Sequence, residues 1–173
     1  MSDEYRLILS RAKDGDGQAF EELLTPVLEV GFRLAMTILN DRGMAEDAVQ
    51  EAALKAWRNL DRLRPDAPLR PWFLTVVANE CRTMRRSRWW RVLQVPRVLA
   101  QRAAEPDERI DLAAALDRLP PRHLLPLSLY YHLDLPIAEV ARVLGCSEGA
   151  ARVRIHRALV ALRPAMKLEE ADA

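Results

Sequence analysis

Apolar residues recur at steps of three and four along most of the chain, which is the spacing of one face of an α-helix. The repeat predicts helices at residues 4–13, 17–40 and 42–60, from about residue 71, and then at 109–118, 121–133, 137–144 and 148–163. Pro26 lies inside the second segment. We expect it to kink or restart that helix, with Thr25 as the N-cap of the restarted part.

Two segments interrupt the helical repeat. Residues 61–71 contain three prolines and predict an ordered but irregular loop. Residues 92–108 lose the periodicity around two further prolines and predict an interdomain linker. Aromatic residues are scarce, whereas Ala, Leu and Arg dominate, so the composition does not favour strands. We expect an all-α protein with two small helical domains joined by a flexible linker, divided as 1–91, 92–108, 109–166 and a tail at 167–173.

The turn Gly145-Cys146-Ser147 is informative about the C-terminal domain. Gly145 suits the left-handed position that closes a helix, and Ser147 suits the N-cap of the next helix. So short a connection is typical of a helix-turn-helix, whose second helix enters the major groove of DNA with its N-terminal half. The outward positions of that half are Glu148, Arg152, Val153, His156 and Arg157. An ordinary helical hairpin is the alternative, but the outward Arg152, Arg154 and Arg157 favour DNA binding.

Charge is segregated along the chain, although the formal net charge is only +1. The third predicted helix has an acidic outer face, which taken alone is ordinary solvated surface. Residues 82–102 contain seven arginines and no acidic residue. Neighbouring arginines repel one another unless a polyanion relieves them, and Trp89 and Trp90 offer planes on which unpaired bases stack. This stretch indicates nucleic-acid binding, with a tryptophan pair buried against the linker as the alternative.

Candidate chemistry is sparse. Cys81 and Cys146 lie far apart within apolar helical patterns, so we expect buried reduced thiols. The three histidines show no metal-ligand spacing with one another or with the cysteines, so we expect no metal site. Without a Gly-rich phosphate loop or a catalytic set, we expect no catalytic residue, no cofactor and no enzyme activity. The amphipathic, acidic start and the lack of an apolar run of ~20 residues favour a cytoplasmic protein without membrane insertion.

Three segments resemble the working parts of one protein family. Residues 45–57, AEDAVQEAALKAW, resemble the helix through which extracytoplasmic-function (ECF, group IV) sigma factors of the sigma-70 family bind core RNA polymerase. Residues 69–86, LRPWFLTVVANECRTMRR, resemble that family's helix for promoter melting and for the promoter element nearest the start site. Residues 135–163 are similar to its C-terminal helix-turn-helix for the distal element. The resemblance covers about residues 4–165, and residues 92–108 are too few for the connecting domain of larger sigma factors.

The resemblance implies a sigma factor that binds core polymerase and directs promoter-specific initiation, under the control of an anti-sigma factor. Its polymerase contacts would be the clamp helices of the largest subunit and the flap, with the clamp helices bound by Asp47, Gln50 and Glu51. The proximal element and the melted strand would be contacted by Arg70, Trp72, Asn79, Arg82, Arg85 and Arg86, with the loop at 61–69 capturing a flipped base. The distal element would be contacted by Ser147, Glu148, Arg152, Val153, Arg154, His156 and Arg157.

The chain departs from the family pattern at two positions of the helix-turn-helix. Val153 replaces a small polar residue and Ala150 replaces a common Thr, so we expect an altered distal element, with Val153 packing on a thymine methyl. The alternative function is a stand-alone helix-turn-helix regulator that does not engage polymerase. Charge reversal at Asp47 and Glu51 separates the two, because only a sigma factor would lose polymerase binding.

Overall fold

The computed structural model describes residues 2–92, 115–116 and 118–167, with residues 87–92 and 164–167 described as helical backbone only. The N-terminal region comprises α1 (Asp3–Lys13), α2 (Gly17–Leu39), α3 (Arg42–Arg58), a 3₁₀ turn (Leu60–Arg62) and α4 (Leu69–Val92). The C-terminal region comprises α5 (Pro121–Leu127), a π-helical turn (Ser128–His132), α6 (Ile137–Leu144) and α7 (Glu148–Lys167). These ranges contain no β-strand, and the predicted all-α class is confirmed.

Some predictions fall outside the described residues. These are the linker beyond Val92, nearly all of the predicted helix at 109–118 and the tail from residue 168. The side chains of Trp89 and Trp90 also lie outside them, so base stacking on these rings stays a prediction.

Side-chain capping explains where α2 begins. Asp16 precedes the helix, and its Oδ1 accepts hydrogen bonds from the amides of Gln18 and Ala19 at 3.0 and 3.1 Å. An aspartate at this position satisfies N–H groups that the first turn leaves without a helical partner. The Ala19 amide, followed by the side chain of Arg11, holds the pKa of Asp16 below its ordinary value. The carboxylate therefore stays charged where it caps the helix.

Pro26 does not restart α2, and that prediction was wrong. The helix runs unbroken from Gly17 to Leu39, and Thr25 is not an N-cap. The Thr25 hydroxyl instead donates to the carbonyl of Glu21, one turn back, at 2.8 Å. Proline deletes one helical N–H, but Pro26 is exposed, so water can replace the missing donor. The packing of the rest of α2 then keeps the helix continuous.

The helices α2, α3 and α4 pack against one another around a core of leucine, valine and alanine side chains that also contains Phe73. Gly31 on α2 faces Phe73 on α4, and a Cβ at Gly31 would lie 2.9 Å from the Phe73 ring. Glycine therefore permits the close approach of these two helices. Between them, α3 contributes four fully buried alanines, at positions 45, 48, 52 and 56.

Buried apolar packing continues from the N-terminal helices into the C-terminal region. One cluster includes Leu129, Leu133, Leu135, Val140, Ala141, Val143, Ala151 and Ile155 together with the core of α1 to α4. A smaller cluster consists of Leu119, Leu124, Leu127 and Ala158, with partly buried neighbours from α7. Helix α4 contacts α6, and α2 contacts the π turn. The two regions thus share part of their hydrophobic core.

Candidate functional site

The outer surface of α3 carries the acidic face. Asp47 and Gln50 are exposed and Glu51 is half-buried. Spacings of three and four residues place them on one side of the helix, away from the buried alanines. The structure therefore brings the three predicted polymerase-binding residues together.

A partly buried ion pair beside this face was not predicted. Lys55 Nζ lies 2.6 Å from Glu80 Oε2 on α4, but 3.6 Å from Glu51 Oε1 on its own helix. Glu80 is only 7% exposed, and its hydrogen bond raises the pKa of Lys55. Because Lys55 lies closer to Glu80 than to Glu51, it neutralises the negative charge of Glu51 less than that of Glu80. One feature of the sequence could have predicted this pair, since Glu80 is the only acidic residue in the sequence of α4.

The outward face of α4 is basic. Asn79, Arg82 and Arg86 are exposed, and Arg82 Nη1 donates to Asn79 Oδ1 at 3.0 Å. Arg85 is half-buried, and its buried Nη1 has no hydrogen-bond partner among the residues that the structure describes. On the inward side, burial raises the pKa of the Cys81 thiol to about 12. The helix thus carries a cationic outer surface opposite a packed, mainly apolar interior that also holds the Glu80 carboxylate.

The loop before α4 is held in place by α1. The hydroxyl of Tyr5 donates to the carbonyl of Ala67 at 2.9 Å, and Lys13 Nζ donates to the carbonyl of Leu63. Leu63 and Leu69 are buried. The loop is therefore ordered, as its prolines predicted, but the sequence did not show that α1 would fix it.

The helix-turn-helix has the predicted local geometry. Gly145 has φ of +61°, and Ser147 Oγ accepts a hydrogen bond from the amide of Ala150 at 3.3 Å. On α7, Ala151, Ile155 and Ala158 are buried. The opposite face is exposed and consists of Glu148, Arg152, Val153, Arg154, His156 and Arg157.

Two family models match the chain. Residues 19–91 match "Sigma-70 region 2", and residues 109–162 match "Sigma-70, region 4". Relatives of the chain include the ECF RNA polymerase sigma factor SigL of Mycobacterium tuberculosis, 33% identical over 76% of this chain and 80% of SigL. The sigma factor CarQ of Myxococcus xanthus is 32% identical over 90% of this chain and 93% of CarQ. The chain belongs to the ECF sigma factor family.

Two solved structures of similar proteins share the fold. CnrH in complex with the cytosolic domain of CnrY is 25% identical, with a TM-score of 0.70 over 99% of this chain and 100% of CnrH. RpoE in complex with the anti-sigma factor NepR, from Bartonella quintana, is 24% identical, with a TM-score of 0.65 over 86% of this chain and 96% of RpoE. As a sigma factor, the chain binds core RNA polymerase and directs initiation at specific promoters.

In this sigma factor, two of the predicted DNA-contacting arginines, Arg70 and Arg154, are bonded to another helix. Arg70 forms a two-bond ion pair with Glu139 on α6, and this hydrogen bonding raises the pKa of Arg70. Arg154 Nη1 donates to the carbonyl of Leu144 at 3.1 Å, at the end of the preceding helix. Arg154 therefore helps to fix the angle between the two helices of the helix-turn-helix.

Within residues 2–92, 115–116 and 118–167, no group of three or more His, Cys, Asp or Glu side chains is arranged to hold a metal ion. None of the helices in the same ranges combines the length and the apolar character needed to cross a membrane.

Proposed function

We propose that Asp47, Gln50 and Glu51 form the surface by which this sigma factor binds the clamp helices of the largest polymerase subunit. The observation that supports it is a compact acidic face on a helix whose other side is packed with alanines. Such a face complements a basic partner, and charge complementarity speeds and orients association. Glu80 favours this surface by engaging Lys55, the nearest cation on the same helix.

The basic face of α4 is proposed to bind the proximal promoter element and the melted strand. Asn79, Arg82 and Arg86 are exposed along one stretch of the helix, where they can pair with phosphates or base edges. Trp72 is half-buried near the start of α4 and follows the ordered loop at 61–69. We assign base capture to this loop because unpaired bases need a rigid pocket to offset the free energy of unstacking.

The exposed N-terminal half of α7 is proposed to read the distal element. Ser147 caps the helix, so its first-turn amides point toward a phosphate position. Arg152 and Arg157 are exposed beside Val153, whose side chain is 47% exposed and free to meet a thymine methyl. Replacement Val153→Ser should therefore change promoter preference, and unchanged preference would contradict this assignment.

The remaining proposals concern regulation, cellular location, the lack of catalytic activity and a second contact with polymerase. We infer that an anti-sigma factor controls this protein, because structurally similar sigma factors have been solved in complexes, RpoE with the anti-sigma factor NepR and CnrH with the cytosolic domain of CnrY. We also infer that it acts in the cytoplasm, beside polymerase and DNA, and has no catalytic activity of its own. The flap of the polymerase is proposed as a second contact.

The experiment for the polymerase surface is the charge-reversed variant Asp47→Lys/Glu51→Lys. Both side chains lie on the outer face, so the fold should be retained, and pull-down by core polymerase and transcription should fall by at least roughly tenfold. The matched control is Glu29→Lys, a reversal at an exposed position of α2. Full polymerase binding by the double variant would contradict the assignment. A different result would indicate a stand-alone regulator, namely that the C-terminal region binds promoter fragments and polymerase plays no role.

A further inference from the structure

Two side chains of α1 hold the loop that precedes α4. The hydroxyl of Tyr5 donates to the carbonyl of Ala67 at 2.9 Å, and Lys13 Nζ donates to the carbonyl of Leu63. A longer hydrogen bond of 3.4 Å joins Lys13 Nζ to the carbonyl of Asp61. Tyr5 and Lys13 lie about two turns apart on α1. The helix therefore holds the loop at its beginning and again near its end.

Helix α1 can support the loop because its own position is fixed by packing. Leu9 and Ala12 are 1% and 2% exposed, and α1 contacts α2. Ser2 caps the helix, since its Oγ accepts a hydrogen bond from the amide of Tyr5 at 3.2 Å. The Tyr5 side chain packs against the same core, and burial raises the pKa of its hydroxyl. The hydroxyl therefore keeps the proton that it donates to the loop.

The tip of the loop stays open to solvent between the two supported ends. Arg64, Pro65 and Asp66 are exposed. The amide of Ala67 closes this turn by donating to the carbonyl of Arg64 at 3.0 Å, and Leu63 is buried on the other side of the tip. The bonds from α1 end on backbone carbonyls. They therefore fix the path of the chain without engaging the side chains of the tip.

We propose that Tyr5 and Lys13 are positioning residues for base capture, because they hold the loop in its base-binding shape before DNA arrives. The proposal rests on the role assigned above to the loop at 61–69. A flexible loop would have to be ordered when the base binds, and this loss of conformational entropy would weaken binding. If about a tenth of the molecules held the binding shape, the apparent dissociation constant would rise about tenfold. Helix α1 thus favours promoter melting through residues that need not touch DNA.

Amide hydrogen exchange of the free protein tests the support of the loop. In Tyr5→Phe/Lys13→Met, which keeps the aromatic ring and an unbranched side chain, exchange of the Ala67 amide should accelerate roughly tenfold. The matched control is Arg6→Met, which removes an exposed positive charge from the same helix. Ala67 exchange in the double variant that equals that of the wild-type protein or the control would contradict the proposal.

Binding of the melted strand tests the consequence for base capture. The probe is a single-stranded oligonucleotide of the proximal element, taken from a promoter that this protein transcribes and offered to polymerase carrying each variant. A parallel series replaces one base at a time by an abasic site. With the wild-type protein, one abasic position should weaken binding roughly tenfold, since stacking in the pocket is lost. With Tyr5→Phe/Lys13→Met, the intact strand should bind about tenfold more weakly and the same abasic site should cause no further loss.

The outcomes separate the positioning role from the base capture on which it rests. An abasic penalty that persists in the double variant would overturn the positioning role. Equal weakening of the intact and the abasic strands relative to the wild-type protein would overturn it as well, since a general defect lowers both affinities. A wild-type protein without a penalty at any abasic position would instead overturn base capture by the loop. The exchange of the Ala67 amide, which needs neither polymerase nor DNA, would then still show whether α1 supports the loop.

Discussion

The N-terminal and C-terminal regions differ in how far the buried apolar core of each region can stabilise that region alone. In the N-terminal region, long helices surround fully buried side chains such as Phe73, Leu34 and Leu74. Within the described part of the chain, the cluster that belongs to the C-terminal region alone has four buried members, and most of the other buried apolar residues of that region join the N-terminal core. The comparison indicates that the N-terminal region has the larger core of its own and forms the scaffold, and that the C-terminal region completes its apolar packing against it.

Thiol reactivity provides the largest expected contrast between the regions. Cys81 is buried in α4 and burial raises its pKa to about 12, whereas Cys146 is half-exposed in the helix-turn-helix. The thiolate is the reactive form, so lowering its population at pH 8 should make Cys81 react roughly a thousandfold more slowly. Mass spectrometry of peptides after timed alkylation measures both sites. Comparable rates would show that the N-terminal core opens readily and would remove the contrast.

Truncation of the N-terminal core should be the most destabilising substitution. Phe73 is fully buried and packs beside Gly31 at the contact of α2 and α4. Phe73→Ala should cost about 3–5 kcal/mol of unfolding free energy, since it removes apolar contacts and leaves a cavity. Urea unfolding followed by circular dichroism measures the loss. A cost below about 1 kcal/mol would mean that Phe73 is not central to the scaffold.

The corresponding truncation in the C-terminal region should cost less and remain local. Leu124 is 3% exposed in the smaller cluster, next to Leu127 and Ala158. Leu124→Ala should cost about 2–3 kcal/mol, near the lower end for such changes, because a small cluster can partly collapse around the cavity. Amide exchange should accelerate in α5 and α7 while α2 to α4 stay protected. Equal acceleration in α2 to α4 would show that the regions unfold as one unit.

The N-cap of α7 should give the smallest effect. Ser147 Oγ satisfies the amide of Ala150, so Ser147→Ala should destabilise α7 by about 1 kcal/mol. Ser147→Asn, which keeps a capping oxygen, serves as the control and should be close to neutral. Thermal unfolding and binding to distal-element DNA check the two consequences. A stable α7 with undiminished DNA binding in Ser147→Ala would argue against the cap.

The sequence predicted the helices and the turn between α6 and α7 well, because helical periodicity and capping residues lie within the segments that they specify. Helical periodicity located α1 to α4, and Gly145 with Ser147 predicted the turn of the helix-turn-helix together with its N-cap. The predicted α4 start differed by two residues, since the helix begins at Leu69 and Pro71 lies in its first turn. The family resemblance, carried by residues 45–57, 69–86 and 135–163, predicted the function that the comparisons with known sigma factors support.

Contacts between distant residues could not be predicted in the same way. The pairs Lys55–Glu80 and Arg70–Glu139 join residues 25 and 69 positions apart, and no periodicity specifies such partners. The π turn was also missed, since its wider hydrogen bond from the amide of Leu133 to the carbonyl of Ser128 leaves the helical apolar spacing almost unchanged. Arg70 and Arg154 were predicted to contact DNA, and the sequence did not show that tertiary packing would give each a protein partner.

Transcription by purified core RNA polymerase on fragmented genomic DNA of the source organism, with and without this protein, tests the central claim most directly. The account predicts new, discrete transcript starts that share two upstream elements, and predicts their loss with Asp47→Lys/Glu51→Lys but not with Glu29→Lys. Binding of DNA by the C-terminal region without any new starts would contradict it.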